Sequence, residues 1–124
     1  MTESPAEHDT LLLVEDDDAV RYELRELLED EGYDVVEAAD GGAALEALDA
    51  GLEPKVVVLD LMMPGMDGWE FLGRLKRHAK GKTLPVVVAT AVDERRLLPK
   101  GVPCVRKPLV VESLLQWVHS YTDA

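Results

Sequence analysis

Cysteine, membrane-spanning runs and targeting signals are missing or scarce in this sequence of 124 residues. Its single cysteine, Cys104, excludes an internal disulfide framework and is typical of a protein in a reducing compartment. No apolar run approaches the length of a membrane helix, and the N-terminus lacks the basic and apolar regions of a signal peptide. We therefore expect a cytoplasmic protein that does not act at a membrane.

Basic residues are also few, since 13 Lys and Arg stand against 25 Asp and Glu and give a formal net charge of −12. Such a charge argues against direct binding to nucleic acid or to an anionic membrane. It favours cations, basic partners or simple solubility. No cluster of Cys and His suggests zinc or copper, so any metal site is expected to use oxygen ligands.

The chain has the length and composition of one folded domain. Hydrophobic residues make up 47%, which excludes a disordered chain, and 124 residues suit a single core. Residues 1–9 are polar and without pattern, so they are predicted to form a flexible tail. Residues 10–124 show no internal repeat or linker and are predicted to form the domain.

Apolar runs typical of buried strands alternate five times with helical patterns. The strands are predicted at residues 11–14, 33–37, 56–60, 84–90 and 102–106. This alternation predicts an α/β fold with a five-stranded parallel sheet and helices on both faces. Pro99 and Gly101 leave room for only one or two turns from residue 93 to residue 98, so the fourth helix should be short or irregular.

Polar side chains stand at the ends of four of these strands. They are Glu15 and Asp16, Asp60, Thr90, and Lys107. The carboxyl ends of parallel strands meet at one edge of a sheet, where ligands bind in open α/β folds. Three carboxylates crowded there repel each other unless a cation neutralises them, and oxygen ligands suit Mg²⁺. A lysine and a hydroxyl beside the cation would fit a phosphoryl group, with Asp60 as the nucleophile.

The combination of these motifs, in this order, resembles the receiver domain of the two-component response regulators along nearly the whole chain. The resemblance rests on residues 13–17 (LVEDD) with Arg21, on residues 60–68 (DLMMPGMDG), on residues 89–91 (ATA) and on Lys107-Pro108. It implies a flavodoxin-like fold and a phosphorylatable aspartate, Asp60.

The same resemblance implies the ligands of the metal. Asp16 would bind Mg²⁺ directly and Glu15 through water, while Asp60 and the backbone carbonyl of Met62 would supply further oxygens. Thr90 would donate a hydrogen bond to the phosphoryl group, and Lys107 would pair with it.

The resemblance also implies a signalling module of a two-component phosphorelay rather than an enzyme. A sensor histidine kinase or phosphotransfer protein would donate the phosphoryl group, and phosphorylation would switch binding to a downstream protein. The module's own chemistry would be limited to weak self-phosphorylation and self-dephosphorylation.

One departure and two alternatives qualify this interpretation. Cys104 stands three residues before Lys107, where the family usually has an aromatic residue, so we expect an altered readout of phosphorylation. The main alternative is a receiver-like module that docks partners without phosphorylation, although all five site residues are present. An Mg²⁺-dependent phosphatase would typically carry a second aspartate two residues after the first, and Met62 occupies that position.

Overall fold

A computed structural model describes residues 9–61, 68–79, 81–90, 102–106 and 111–122, within which five strands alternate with four helices. In chain order these are β1 (Thr10–Val14), α1 (Asp18–Asp30), β2 (Asp34–Ala38), α2 (Gly41–Asp49), β3 (Val56–Leu59), α3 (Gly68–Arg77), β4 (Val86–Thr90), β5 (Cys104–Arg106) and α4 (Val111–Thr122). The helix predicted at residues 93–98 lies outside the described residues, and so do residues 1–8 of the tail predicted at residues 1–9.

All five strands are parallel and form one sheet in the order β2-β1-β3-β4-β5. This is the flavodoxin-like order, and it confirms the predicted fold class. The first and third strands lie next to each other, with Leu12 opposite Val57 and Val14 opposite Leu59. Every residue of β3 is buried, as expected of a central strand covered on both faces.

Two apolar layers cover the two faces of the sheet because successive side chains of a strand point to opposite sides. Leu12, Val14, Val57 and Leu59 pack in one layer with the buried faces of α2 and α3. Leu11, Leu13, Val56 and Val58 pack in the other layer with α1 and α4. Helices therefore cover both faces, as the alternating pattern predicts.

Short polar residues begin the first two helices. The side chain of Asp17, the residue before α1, accepts a hydrogen bond from the backbone N–H of Val20 at 2.9 Å. Asp40 does the same for α2, accepting from Ala43 at 2.8 Å. Each cap satisfies a backbone donor that has no partner within its helix.

Three strands start later than the sequence pattern suggests. Tyr33 precedes β2 because its N–H is used by the end of α1, donating to the Leu28 carbonyl at 3.2 Å. Pro85 and Pro103 lack an N–H for the sheet ladder, so β4 and β5 begin one residue after each proline.

A group of polar side chains joins the end of α4 to the turn between α1 and β2. The Tyr33 hydroxyl bonds to Nδ1 of His119 and, at 2.8 Å, to the hydroxyl of Thr122. Nε2 of His119 lies 3.3 Å from a carboxylate oxygen of Glu31. The last turn of α4 is thus attached to a distant part of the chain.

The longest described helix, α1, has 13 residues and extends about 20 Å. Among the described residues, no helix combines the length and the apolar character that crossing a lipid bilayer would need.

Candidate functional site

Three carboxylates meet at the carboxyl ends of the two central strands. Glu15 and Asp16 follow β1 and Asp60 follows β3, and one oxygen from each lies within 4.8 Å of the other two. Glu15 and Asp60 are buried, at 2% and 6% exposure, while Asp16 is half-buried and reaches the surface. The structure therefore brings these three residues together, as the strand pattern predicts.

The sheet itself fixes the two buried carboxylates. The backbone N–H of Glu15 donates to the carbonyl of Ala38 at 3.1 Å, and that of Asp60 donates to the carbonyl of Val14 at 3.0 Å. Each bond extends the parallel ladder one residue beyond its strand. The acidic cluster thus sits on the rigid centre of the fold, which limits how far its members can move apart.

Arg21 supports this cluster from α1. It donates to the backbone carbonyl of Glu15 at 2.9 Å and to the side chains of Asp18 at 2.6 Å and Glu37 at 3.0 Å. The hydrogen bond to Asp18 raises the pKa of the Arg21 guanidinium, and the bond to Glu37 adds to that rise against the opposing effect of burial. The sequence motif includes Arg21 but does not reveal its contact with the Glu15 backbone.

Gly68, the first residue of α3, touches the backbone directly after Asp60. Its N–H donates to the carbonyl of Leu61 at 2.9 Å. A Cβ at this position would lie 2.4 Å from the Leu61 Cα and 2.8 Å from the Asp60 carbonyl oxygen. Only glycine allows the helix to begin so close to this carboxylate.

The negative charge of the cluster favours a cation nearby. Two unit charges 4.8 Å apart repel each other by about 3 kcal/mol at an effective dielectric constant of about 20. Three buried or half-buried carboxylates carry this repulsion in every pair unless a positive ion lies among them. Their oxygens are close enough to share one metal ion, and a set of oxygens alone suits a hard cation. The cluster could therefore hold a metal.

The other predicted site residues lie partly or wholly outside the described residues. Thr90 ends β4 at the same edge of the sheet, and only its backbone is described. Met62 and Lys107 fall outside the described residues. Cys104 begins β5 and packs, half-buried, against the layer that contains α2 and α3. An altered readout at this position stays a prediction.

A known family matches most of the chain. The model of the response regulator receiver domain matches residues 11–118. The chain belongs to this family. Receiver domains act in two-component signalling, so the resemblance found in the sequence is confirmed at the level of family, fold and broad role.

Individual relatives agree with the family. The receiver domain is 39% identical over 116 residues to an uncharacterized 14.6 kDa protein in the sodA1 3' region of Leptolyngbya boryana, covering 90% of this chain and 88% of that protein. It is 40% identical over 110 residues to response regulator MprA of Mycobacterium sp. (strain KMS), covering 85% of this chain but 46% of MprA. The chain therefore spans less than half the length of that relative.

A solved structure also shares the fold. The chemotaxis protein CheY4 of Vibrio cholerae superposes with a TM-score of 0.80 at 30% identity, covering 92% of this chain and 98% of that one. The agreement supports the flavodoxin-like fold.

Proposed function

We propose that this receiver domain accepts a phosphoryl group on Asp60 from a phosphohistidine of a sensor histidine kinase or phosphotransfer protein. Phosphorylation would then change its binding to a downstream protein. The observation that carries the proposal is the cluster of Glu15, Asp16 and Asp60, because a buried carboxylate with two acidic neighbours is arranged to share a cation with an incoming phosphate.

The residues of the cluster would bind the metal, and Asp60 would also accept the phosphoryl group. Glu15, Asp16, Asp60 and the backbone carbonyl of Met62 would hold Mg²⁺. When bound, Mg²⁺ would neutralise charge on the carboxylates and on the phosphoryl oxygens. Asp60 lies on the rigid end of β3, so its oxygen can be presented to the phosphorus in a fixed orientation.

Phosphoryl transfer would exchange one bond for another at phosphorus. A carboxylate oxygen of Asp60 forms the new P–O bond while the P–N bond to the donor imidazole breaks, and the imidazole keeps the electron pair. Thr90 would donate a hydrogen bond to a phosphoryl oxygen, and Lys107 would balance the added negative charge. The chain would act as a switch with weak self-phosphorylation and self-dephosphorylation, not as an enzyme with a separate substrate.

We further propose that the module comprises residues 10–124, that residues 1–9 form a tail, and that the protein works in the cytoplasm, as its single cysteine suggests. Its partners would be proteins, not nucleic acid or membrane.

The test is incubation with acetyl phosphate and Mg²⁺, followed by intact mass measurement. We expect one added phosphoryl group, lost when EDTA replaces Mg²⁺ and lost in Asp60→Asn. Asp40→Asn is the matched control, because Asp40 also follows a strand at this edge and asparagine caps a helix as well as aspartate does.

A phosphoryl group that survives Asp60→Asn would place the acceptor elsewhere. No phosphorylation of the folded, Mg²⁺-loaded protein by either acetyl phosphate or a histidine kinase would favour the alternative, a docking module that works without phosphorylation.

A further inference from the structure

One of two basic stretches of this acidic chain follows the start of α3; the other is residues 95–111, which contain five Lys and Arg and no Asp or Glu. From residue 71 to residue 92 the sequence contains no Asp or Glu but five Lys and Arg, namely Arg74, Lys76, Arg77, Lys80 and Lys82. Five of the 13 basic residues of a chain with net charge −12 are thus gathered within nine positions. Such a local reversal of sign favours a positive field around this stretch, although the net charge of the chain is negative.

A partly open cavity of about 180 Å³, lined by both apolar and polar groups, lies beside this stretch, between α3, the start of β4 and the end of α4. Its apolar walls include Leu72, Leu75, Leu84, Pro85 and Val102. The side chains of Lys76 and Lys82 also line it, and both residues are exposed. Apolar cavities of about 150 Å³ are large enough for a benzene-sized group, so one large apolar side chain fits this space.

The cavity is remote from the carboxylate cluster. Val86, which begins β4, lines the cavity, whereas Glu15, Asp16 and Asp60 follow the opposite ends of their strands. The length of β4, about 13 Å from Val86 to Thr90, separates the two edges of the sheet. The two features therefore belong to different surfaces.

We propose that this cavity is a docking site for an acidic protein segment that inserts one apolar side chain. Lys76 and Lys82 would contact carboxylates on either side of the inserted residue, and the apolar walls would bury it. Charge complementarity supports this occupant, because the charged residues that line the cavity are both lysines.

The combination of charge and apolar walls also selects among anions. A polyphosphate or nucleic acid would contact the two lysines but would bring no apolar group to the apolar part of the cavity. A second copy would bring its own charge of −12 close to the same charge on the first, which opposes association. An amphipathic acidic peptide would pair with the lysines and would also place an apolar side chain in the cavity.

The experiment measures fluorescence anisotropy of a labelled peptide, Glu-Leu-Glu-Glu-Leu-Glu, titrated with the full chain at low salt. A second peptide with serine in place of both leucines tests the cavity, and heparin tests a purely electrostatic site. We expect the serine peptide to bind at least about tenfold more weakly than the leucine peptide, because it buries no apolar group. Heparin should compete poorly.

A charge-reversed variant locates the binding surface. Lys76→Glu with Lys82→Glu should weaken binding of the leucine peptide by about tenfold or more. Arg74→Glu is the control on the same helix, since Arg74 is already paired with Glu70 at 2.9 Å and does not line this cavity. Asp60→Asn should bind the peptide normally, which separates this site from the proposed phosphorylation.

Three outcomes would overturn the proposal: equal binding of the two peptides, equal loss in Arg74→Glu, or preferential binding of heparin. Self-association of the wild-type protein that Lys76→Glu with Lys82→Glu abolishes, measured by sedimentation, would identify a second copy as the occupant instead and would also overturn it.

Discussion

At the scale of single residues, Gly68 shows how closely α3 approaches the carboxylate of Asp60. Gly68→Ala would place a Cβ 2.4 Å from the Leu61 Cα, and this atom cannot move without shifting the strand end. We expect the free energy of unfolding to fall by about 1–3 kcal/mol or more, because the clash is with backbone. Urea unfolding followed by circular dichroism measures the change.

Gly73→Ala provides the matched control for this substitution. Gly73 lies within the same helix, and the nearest atom to its added Cβ would be Nη1 of Arg77 at 3.8 Å, an ordinary contact. Alanine should therefore stabilise the protein by about 0.5–1 kcal/mol, since glycine is the poorer helix former. Equal effects of the two substitutions would contradict the close approach at Gly68.

Arg21 allows a second prediction at this scale. Arg21→Met should lower the free energy of unfolding by about 1–2 kcal/mol, because the Glu15 carbonyl and two carboxylates lose a charged donor. Arg74→Met, which breaks only an exposed pair with Glu70, should cost less than about 0.5 kcal/mol.

The pH dependence of the Arg21→Met effect follows from the direction of its pKa. The pKa of Arg21 is raised in the folded protein, so its contribution is complete below the unfolded pKa and disappears only as pH rises through the folded pKa. The stability difference between wild type and Arg21→Met should therefore be flat between about pH 6 and pH 9. A difference that disappears within this range would show that another group carries the effect.

The residue scale also shows which parts of the site the sequence reveals. Glu15, Asp16 and Asp60 could be predicted to meet because each directly follows a recognisable buried strand, and parallel strands end together. The contact of Arg21 with the Glu15 carbonyl could not, because it depends on how α1 is rotated against the sheet. The need for glycine at residue 68 likewise comes from a distance between two segments.

At the scale of elements, the bonds from Tyr33 hold the last turn of α4. Tyr33→Phe keeps the ring but removes the hydroxyl that joins His119 and Thr122. We expect the free energy of unfolding to fall by about 1 kcal/mol, with faster amide exchange at residues 119–122. Hydrogen exchange read by mass spectrometry resolves the local effect.

Tyr22→Phe is the control for Tyr33→Phe, because Tyr22 is 55% exposed on α1. It should change neither quantity. If Tyr33→Phe left exchange in α4 as slow as in the wild type, apolar packing of Leu114 and Val118 alone would explain how the helix is held.

The sequence predicts the strands most accurately where the strands are completely buried. The central strands β1 and β3 appear in the sequence as unbroken apolar runs and lie where those runs predict. The starts of β4 and β5 were predicted too early, because an apolar run continues through Pro85 and Pro103 although neither proline can donate to the ladder. Hydrophobicity predicts that a strand exists, while hydrogen bonding decides where it begins.

At the scale of the whole molecule, the charge of −12 predicts how salts affect stability. NaCl should raise the melting temperature by screening repulsion among the excess carboxylates. MgCl2 at the same ionic strength should raise it further, because binding to the folded state alone adds about 2.7 kcal/mol at a concentration of 100 Kd.

The carboxylate cluster should account for the additional effect of MgCl2. Asp60→Asn should lose much of the excess over NaCl, whereas Asp40→Asn should keep it, as measured by differential scanning fluorimetry. An equal response to both salts in the wild type would indicate screening alone, and the cluster would then not be a metal site.

The strand order has a consequence for biosynthesis. Strands β2, β1 and β3 are neighbours in the sheet and all lie before residue 61, so three adjacent strands and the whole acidic cluster come from the first half of the chain. As a ribosome releases the polypeptide, the half that contains the carboxylate cluster is complete while residues 86–122 are still being made. Thr90 and Lys107 emerge afterwards, so under the proposed function a nascent chain would gain affinity for divalent ions before it could respond to a phosphate donor.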